Sequence, residues 1–187
     1  GIEFNERLHC IDVISDLAFI SMDLIDHAAT ALAWRLINRY LEYSGDYKGL
    51  EVLRFYQVYR AMVRAKIACL RLGQLDLKGK EHRDVMEQYQ GYAALAERLT
   101  TPHKPMLILT CGLSGSGKSW LSQQLLETLP ACRIRSDVER KRLFPSKHDN
   151  TGLYAAEATE KTYQQLLTLA KHALSHGYST IVDAAFL

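Results

Sequence analysis

The sequence is poor in cysteine and proline, with four of each among 187 residues. Cys10, Cys69, Cys111 and Cys132 form no C-x-x-C pair and no metal-ligand spacing. Reduced thiols in a cytoplasmic protein are the simplest account. Charge of one sign is also scarce: the formal net charge is +2, which argues against a surface dedicated to nucleic acid. No apolar run reaches the roughly 20 residues that a membrane helix needs, and no signal-peptide pattern opens the chain, so no membrane partner is expected. Apolar content is an ordinary 48 %, enough for a core in one large domain or two small ones.

What is present divides at two of the prolines. Helical spacing runs through 8–28 (Ile11, Ile14, Ala18, Met22, Ile25) and 28–43 (Leu32, Leu36, Ile37, Leu41), then stops at Ser44-Gly45-Asp46. A third pattern covers 50–72 with Leu53, Tyr56, Tyr59, Val63, Ile67 and Leu70 on one side, Gly73 as its cap, and both tyrosines expected in the core. A fourth covers 81–99. Residues 1–100 therefore read as a helical domain, and Thr100 to Pro105 as a linker that two prolines hold extended, centred on 101–105. From Met106 the pattern turns α/β: apolar strands at 106–111, 131–135 and 180–182, the first with the look of a buried parallel strand, alternate with helices at 118–129, 137–143 and 153–176. Strands separated by helices imply right-handed βαβ units and a parallel sheet.

Gly112-Leu113-Ser114-Gly115-Ser116-Gly117-Lys118-Ser119 carries the most information. It is a G-x-x-x-x-G-K-[ST] phosphate-binding loop placed between a strand and a helix. At ordinary glycine usage a chance match arises on the order of once per hundred chains of this length. Glycines at 112, 115 and 117 can take positive φ, so that successive amides point into one concavity suited to an anion. The helix that starts near Lys118 adds the positive end of its dipole. Lys118 is expected to reach the β- and γ-phosphates of ATP, and Ser119 to ligate Mg²⁺. The plain alternative is a glycine-rich turn that binds nothing.

Two more acidic positions fall at the same sheet edge. Asp183 ends the third strand, where an open α/β sheet faces its ligand crevice; it is a candidate to hold Mg²⁺ through water or to position a substrate hydroxyl, or simply an aspartate that closes a strand. Asp137 follows the second strand and is placed to accept a proton from a substrate hydroxyl, with Arg140 one turn on to hold substrate or neutralise charge. Ser136-x-x-Glu139 is equally a capping box. The run Arg140-Lys141-Arg142 reads as a solvated helix face unless it lines the phosphate cleft. Residues 1–100 carry 13 basic and 14 acidic side chains and residues 101–187 carry 10 and 7, a small basic excess on the side of the loop.

The chain resembles the junction of a bacterial fusion between an aminoglycoside phosphotransferase-like domain and a P-loop kinase. In the first half the resemblance rests on 2–8, 11–19 and 55–66; in the second, on 112–119, 135–140, 152–159 and 181–184. The second set is similar to polynucleotide 5′-hydroxyl kinases and zeta-toxin-like kinases. It implies an incomplete P-loop sheet over 106–187 with strand order 2-3-1-4-5, ATP and Mg²⁺ as ligands, and a small-molecule or nucleic-acid-end hydroxyl as acceptor. It also implies that Lys118 and Ser119 bind phosphate and metal, that the residue matching Asp137 acts as base or substrate ligand, and that the one matching Arg140 contacts substrate. The catalytic aspartates of the phosphotransferase would lie before Gly1, and the lid and adenine-binding segment of the kinase after Leu187, so a fragment is expected. The outer edge of the strand at 106–111 would then lack a partner and invite pairing with a second copy. A nucleotide-dependent switch without an acceptor, or a helical docking module, are the rival readings.

Overall fold

The computed structural model describes residues 11–74, 79–101, 104–145 and 155–186. An N-terminal helical region precedes a small parallel sheet flanked by helices, a partial P-loop NTPase fold. The helices are α1 (Val13–Asp26), α2 (Thr30–Ser44), α3 (Leu50–Leu72) and α4 (Lys80–Thr100), with a 3-10 turn at Tyr47–Gly49. Then follow β1 (Leu107–Thr110), α5 (Lys118–Thr128), β2 (Ala131–Arg135), α6 (Ser136–Leu143), α7 (Ala156–Ser175) and β3 (Ser179–Asp183). Among the described residues no helix is long and apolar enough to cross a membrane.

Two compact units form. One comprises Gly1–Ala33 with Glu51–Pro102, the other Trp34–Leu50 with His103–Leu187. Residues 34–50, which the helical pattern placed with the first hundred, pack with the sheet.

In the first unit, Asp12 caps α1 by accepting from the Ile14 amide at 2.9 Å, which satisfies one of the orphan N–H groups. Met22, Ala61, Leu95 and Ala96 form the core, with Phe19, Ile25, Val58, Tyr92 and Leu99 packed on it. The buried side of α3 differs from the expected one. Leu53, Gln57, Ala61, Ala65 and Ala68 face inward, whereas Tyr59, Ile67 and Leu70 are more than half exposed. Small side chains let helix backbones approach closely, and the large apolar residues that dominate the periodicity do not reveal which stripe will be used. The guanidinium groups of Arg60 and Arg64 lie 5.3 and 5.2 Å from the centre of the Phe19 ring.

In the second unit the strand order is β1-β3-β2, all parallel. Register puts Asp183 opposite both Thr110 and Arg135, so the carboxyl ends of all three strands meet at one aspartate. Leu126, Ala131 and Ile181 form the core under α5. The first strand is not buried as its apolar run suggested: Leu107 and Leu109 are half exposed, because among the described residues β1 pairs with β3 alone and one edge stays open. Pro130 ends α5 as expected, with Leu129 pushed to φ −116°, ψ 122°.

Residues 34–50 are tied to β2 by unusual bonds. The Asn38 side chain donates to the Ala131 carbonyl (2.9 Å) and accepts from the Arg133 amide (2.6 Å), standing in for a neighbouring strand. Arg142 donates to the Glu42 carbonyl at 2.6 Å, at the C-terminal end of α2, where a cation is favoured.

Candidate phosphate-binding cleft

The loop between β1 and α5 is shaped by its glycines. Gly112, Gly115 and Gly117 have φ of 135°, 82° and 85°, values that side-chain-bearing residues rarely adopt. A Cβ on Gly115 or Gly117 would meet nothing within 4 Å, so those backbones face open space, while one on Gly112 would press on Ser116 Oγ at 3.2 Å. Gly117 is the N-cap of α5 and supplies no side-chain acceptor. The first amides of α5 therefore have no side-chain cap, at the positive end of the helix dipole. Lys118 is folded back over the turn, its Nζ donating to the Leu113 carbonyl at 2.5 Å. The loop's own oxygen holds the cation at the mouth of the concavity.

Beside this loop lies a cleft of about 660 Å³. Ser114, Gly115, Gly117, Lys118 and Ser119 form one wall. Asp137, Arg140 and Asp183 stand on the others, so the expected charged residues share one space. Gly112, Leu113 and Ser116 do not line it; they shape the turn, and the Leu113 side chain is 68 % exposed.

Asp183 is buried, at 5 % exposure. Its Oδ1 accepts from Thr110 Oγ1 (3.2 Å) and its Oδ2 from Ser122 Oγ (3.1 Å). Arg135 Nε approaches Oδ2 to 3.9 Å. Asp137 is half exposed and is tethered to Arg135 Nη2 at 3.1 Å. Arg140 is nearly buried and donates to Thr159 Oγ1 of α7 at 3.2 Å.

The capping-box alternative at Ser136 is not formed. α6 begins at Ser136 itself, with Arg135 as N-cap and no side-chain cap bond. Glu139 is turned inward at 1 % exposure, paired with Arg142 and accepting from the Tyr47 hydroxyl at 3.3 Å. Burial and the facing carboxylate push the Tyr47 hydroxyl far above its ordinary range. The basic run of α6 thus splits three ways: Arg140 enters the cleft, Lys141 is exposed, and Arg142 pairs with Glu139.

Sequence reasoning passed over Ser122, Thr110, Arg133, Thr159 and Tyr163. Ser122 is completely buried yet looks like one more polar residue on a surface helix. Tyr163 lines the cleft, its hydroxyl accepting from the Phe186 amide at 3.2 Å. The spacing of Ser122, three residues after Ser119 and so on a neighbouring face of α5, is the one signal that the sequence offers.

Residues 107–187 match the model of an AAA domain. The AAA-domain match runs from β1 through Asp183 and takes in every cleft residue named above. Uncharacterized proteins of Mycobacterium bovis and Mycobacterium tuberculosis are each 30 % identical over 197 residues, covering 99 % of this chain and 37 % of the relative. The chain thus spans a little over a third of the length of the curated relatives it matches. No solved structure matches.

Proposed function

We propose that the cleft binds ATP with Mg²⁺ and passes the γ-phosphoryl group to a hydroxyl of a small molecule or of a nucleic-acid 5′ end. One observation supports this above the others: an uncapped helix start, a lysine folded over it, and two carboxylates with an arginine share a single cleft. The donor set suits the ligands. Ser119 offers a hydroxyl and Asp183 a carboxylate, the hard oxygens that Mg²⁺ prefers, while the open backbone at Gly115 and Gly117 leaves room for phosphate. Bound Mg²⁺ would neutralise charge that develops on the phosphoryl oxygens.

The chain's own groups then divide the work. Amides of the loop and of the first turn of α5 hold the phosphate oxygens. Lys118 exchanges the Leu113 carbonyl for a phosphate oxygen. Asp137 takes the proton of the attacking hydroxyl as the new O–P bond forms and the bond to the β-phosphate oxygen breaks, leaving ADP. Arg140, held by Thr159, faces the acceptor. In this reading the helical unit of residues 1–33 and 51–102, likened to the C-terminal part of an aminoglycoside phosphotransferase, carries none of the chemistry.

Calorimetric titration with ATP tests the reading. Lys118→Ala should weaken binding about ten- to a hundredfold, the worth of one charge-assisted hydrogen bond. Unchanged affinity would remove the proposal. Asp137→Asn separates a kinase, which loses transfer, from a nucleotide switch, which keeps binding and hydrolysis.

A further inference from the structure

Arg133 and Arg135 stand two residues apart on β2 and so share one face of the sheet with Asp183 of β3. Both reach Glu42 of α2. Arg133 Nη2 lies 2.8 Å from Glu42 Oε1, with both side chains almost fully buried, and Arg135 Nη1 lies 3.9 Å from Oε2. Arg133 Nη1 also donates to Ser122 Oγ at 3.3 Å, the same hydroxyl that bonds Asp183. Arg135 is drawn to Glu42, Asp137 and Asp183 together. Glu42, Asp137 and Asp183 therefore share Arg133 and Arg135 in one network beside the cleft, with the exposed Arg39 also 3.9 Å from Glu42 Oε2.

Remove Glu42 and the buried Arg133 loses its ion-pair partner. Arg133, which is buried and cannot turn to water, is then left bonded to Ser122, whose hydroxyl bonds the Asp183 carboxylate. A guanidinium drawn onto that carboxylate opposes a divalent cation there. We propose that Glu42 is a positioning residue of the phosphate cleft: by occupying Arg133 and Arg135 it keeps the Asp183 carboxylate available to a divalent cation. The helix that carries residue 42 is then a working part of the site. This inference rests on the ATP·Mg²⁺ reading above.

The test is calorimetric titration of the whole chain with a non-hydrolysable ATP analogue, with and without Mg²⁺, reading the ratio of the two affinities. Glu42→Gln should leave the Mg²⁺-free affinity within about twofold, because the amide cradle is untouched, and cut the Mg²⁺ gain about tenfold, as loss of a residue behind a metal ligand does. Glu42→Asp should recover much of that gain. Arg135→Gln should move it the opposite way, because one opposing cation is gone. A purely structural role lowers stability in both variants and gives no such opposition. A Mg²⁺ gain that is unchanged in Glu42→Gln, or that falls in both variants, overturns the proposal. Should Glu42→Gln fail to fold, Arg135→Gln decides alone, its side chain being a quarter exposed: a Mg²⁺ gain that does not rise overturns the proposal. A wild-type chain that binds no nucleotide with or without Mg²⁺ sinks the P-loop reading itself, a result distinct from binding whose Mg²⁺ gain ignores residue 42.

Discussion

The two units bury different things. Among the described residues, the interior of the helical unit holds Met22, Leu95 and alanines 18, 61, 65 and 96, with Ser15, Ser21 and Gln57 as its polar members and no charge. The sheet unit buries Ile134, Ile181 and Leu126 alongside Arg133, Glu139, Arg140 and Asp183. Buried charge is costly unless it is paired, and here each of these charges has an ion-pair or hydrogen-bond partner. The lesson is where to look for chemistry: one unit is a packing solution, while the other holds charge in place at a cleft edge.

Arg142→Ala should give the largest effect. Among the described residues it leaves the buried Glu139 with the Tyr47 hydroxyl alone, at a cost of about 3–5 kcal/mol in chemical denaturation. Met22→Ala tests the other unit. Its side chain is fully buried in the helical core, and truncation should cost about 2–4 kcal/mol through lost burial and a cavity. If Met22 outweighs Arg142, the contrast between apolar and charge-dependent interiors is overdrawn. Tyr59→Ala should change stability by no more than about 0.5 kcal/mol, the usual range for a surface site. A core-sized loss would show that the exposed side of α3 is packed in solution. The smallest effect is a difference in reactivity. Burial pushes the Cys132 thiol up to about 12, so at about pH 8 an alkylating reagent should modify the exposed Cys69 and Cys111 and spare Cys132, as read by mass spectrometry. Labelling of Cys132 at the rate of Cys111 would mean that β2 opens readily.

Much of the candidate cleft is legible in the sequence because its signals are local. The glycine positions of 112–119 and the strand and helix on either side are features of neighbouring residues, and they hold in the structure as φ angles and a helix start. Asp183 is legible as the end of a strand, and Asp137 and Arg140 as residues that follow one, since strand ends in an open α/β sheet collect at one edge. Faces were harder. The large apolar residues of α3 point to a stripe of which Leu53 is buried while Tyr59, Ile67 and Leu70 are exposed; the rest of the buried side is Gln57 and the alanines 61, 65 and 68. Ser136 and Glu139 have capping-box spacing, yet Glu139 turns inward to Arg142, a stronger partner than a backbone amide.

The order of residues by itself determined the glycine-rich loop between strand and helix, the change from helical to α/β patterning, and the line of strand-end carboxylates, because each depends on spacing within a few turns or strands. Only the tertiary structure decided that Asn38 and Glu42 belong with β2, some ninety residues later, and that one serine joins an arginine to the aspartate of the cleft. Contacts between distant segments follow from how whole faces pack, and a buried ion pair has no pattern in sequence until the fold brings its two halves together.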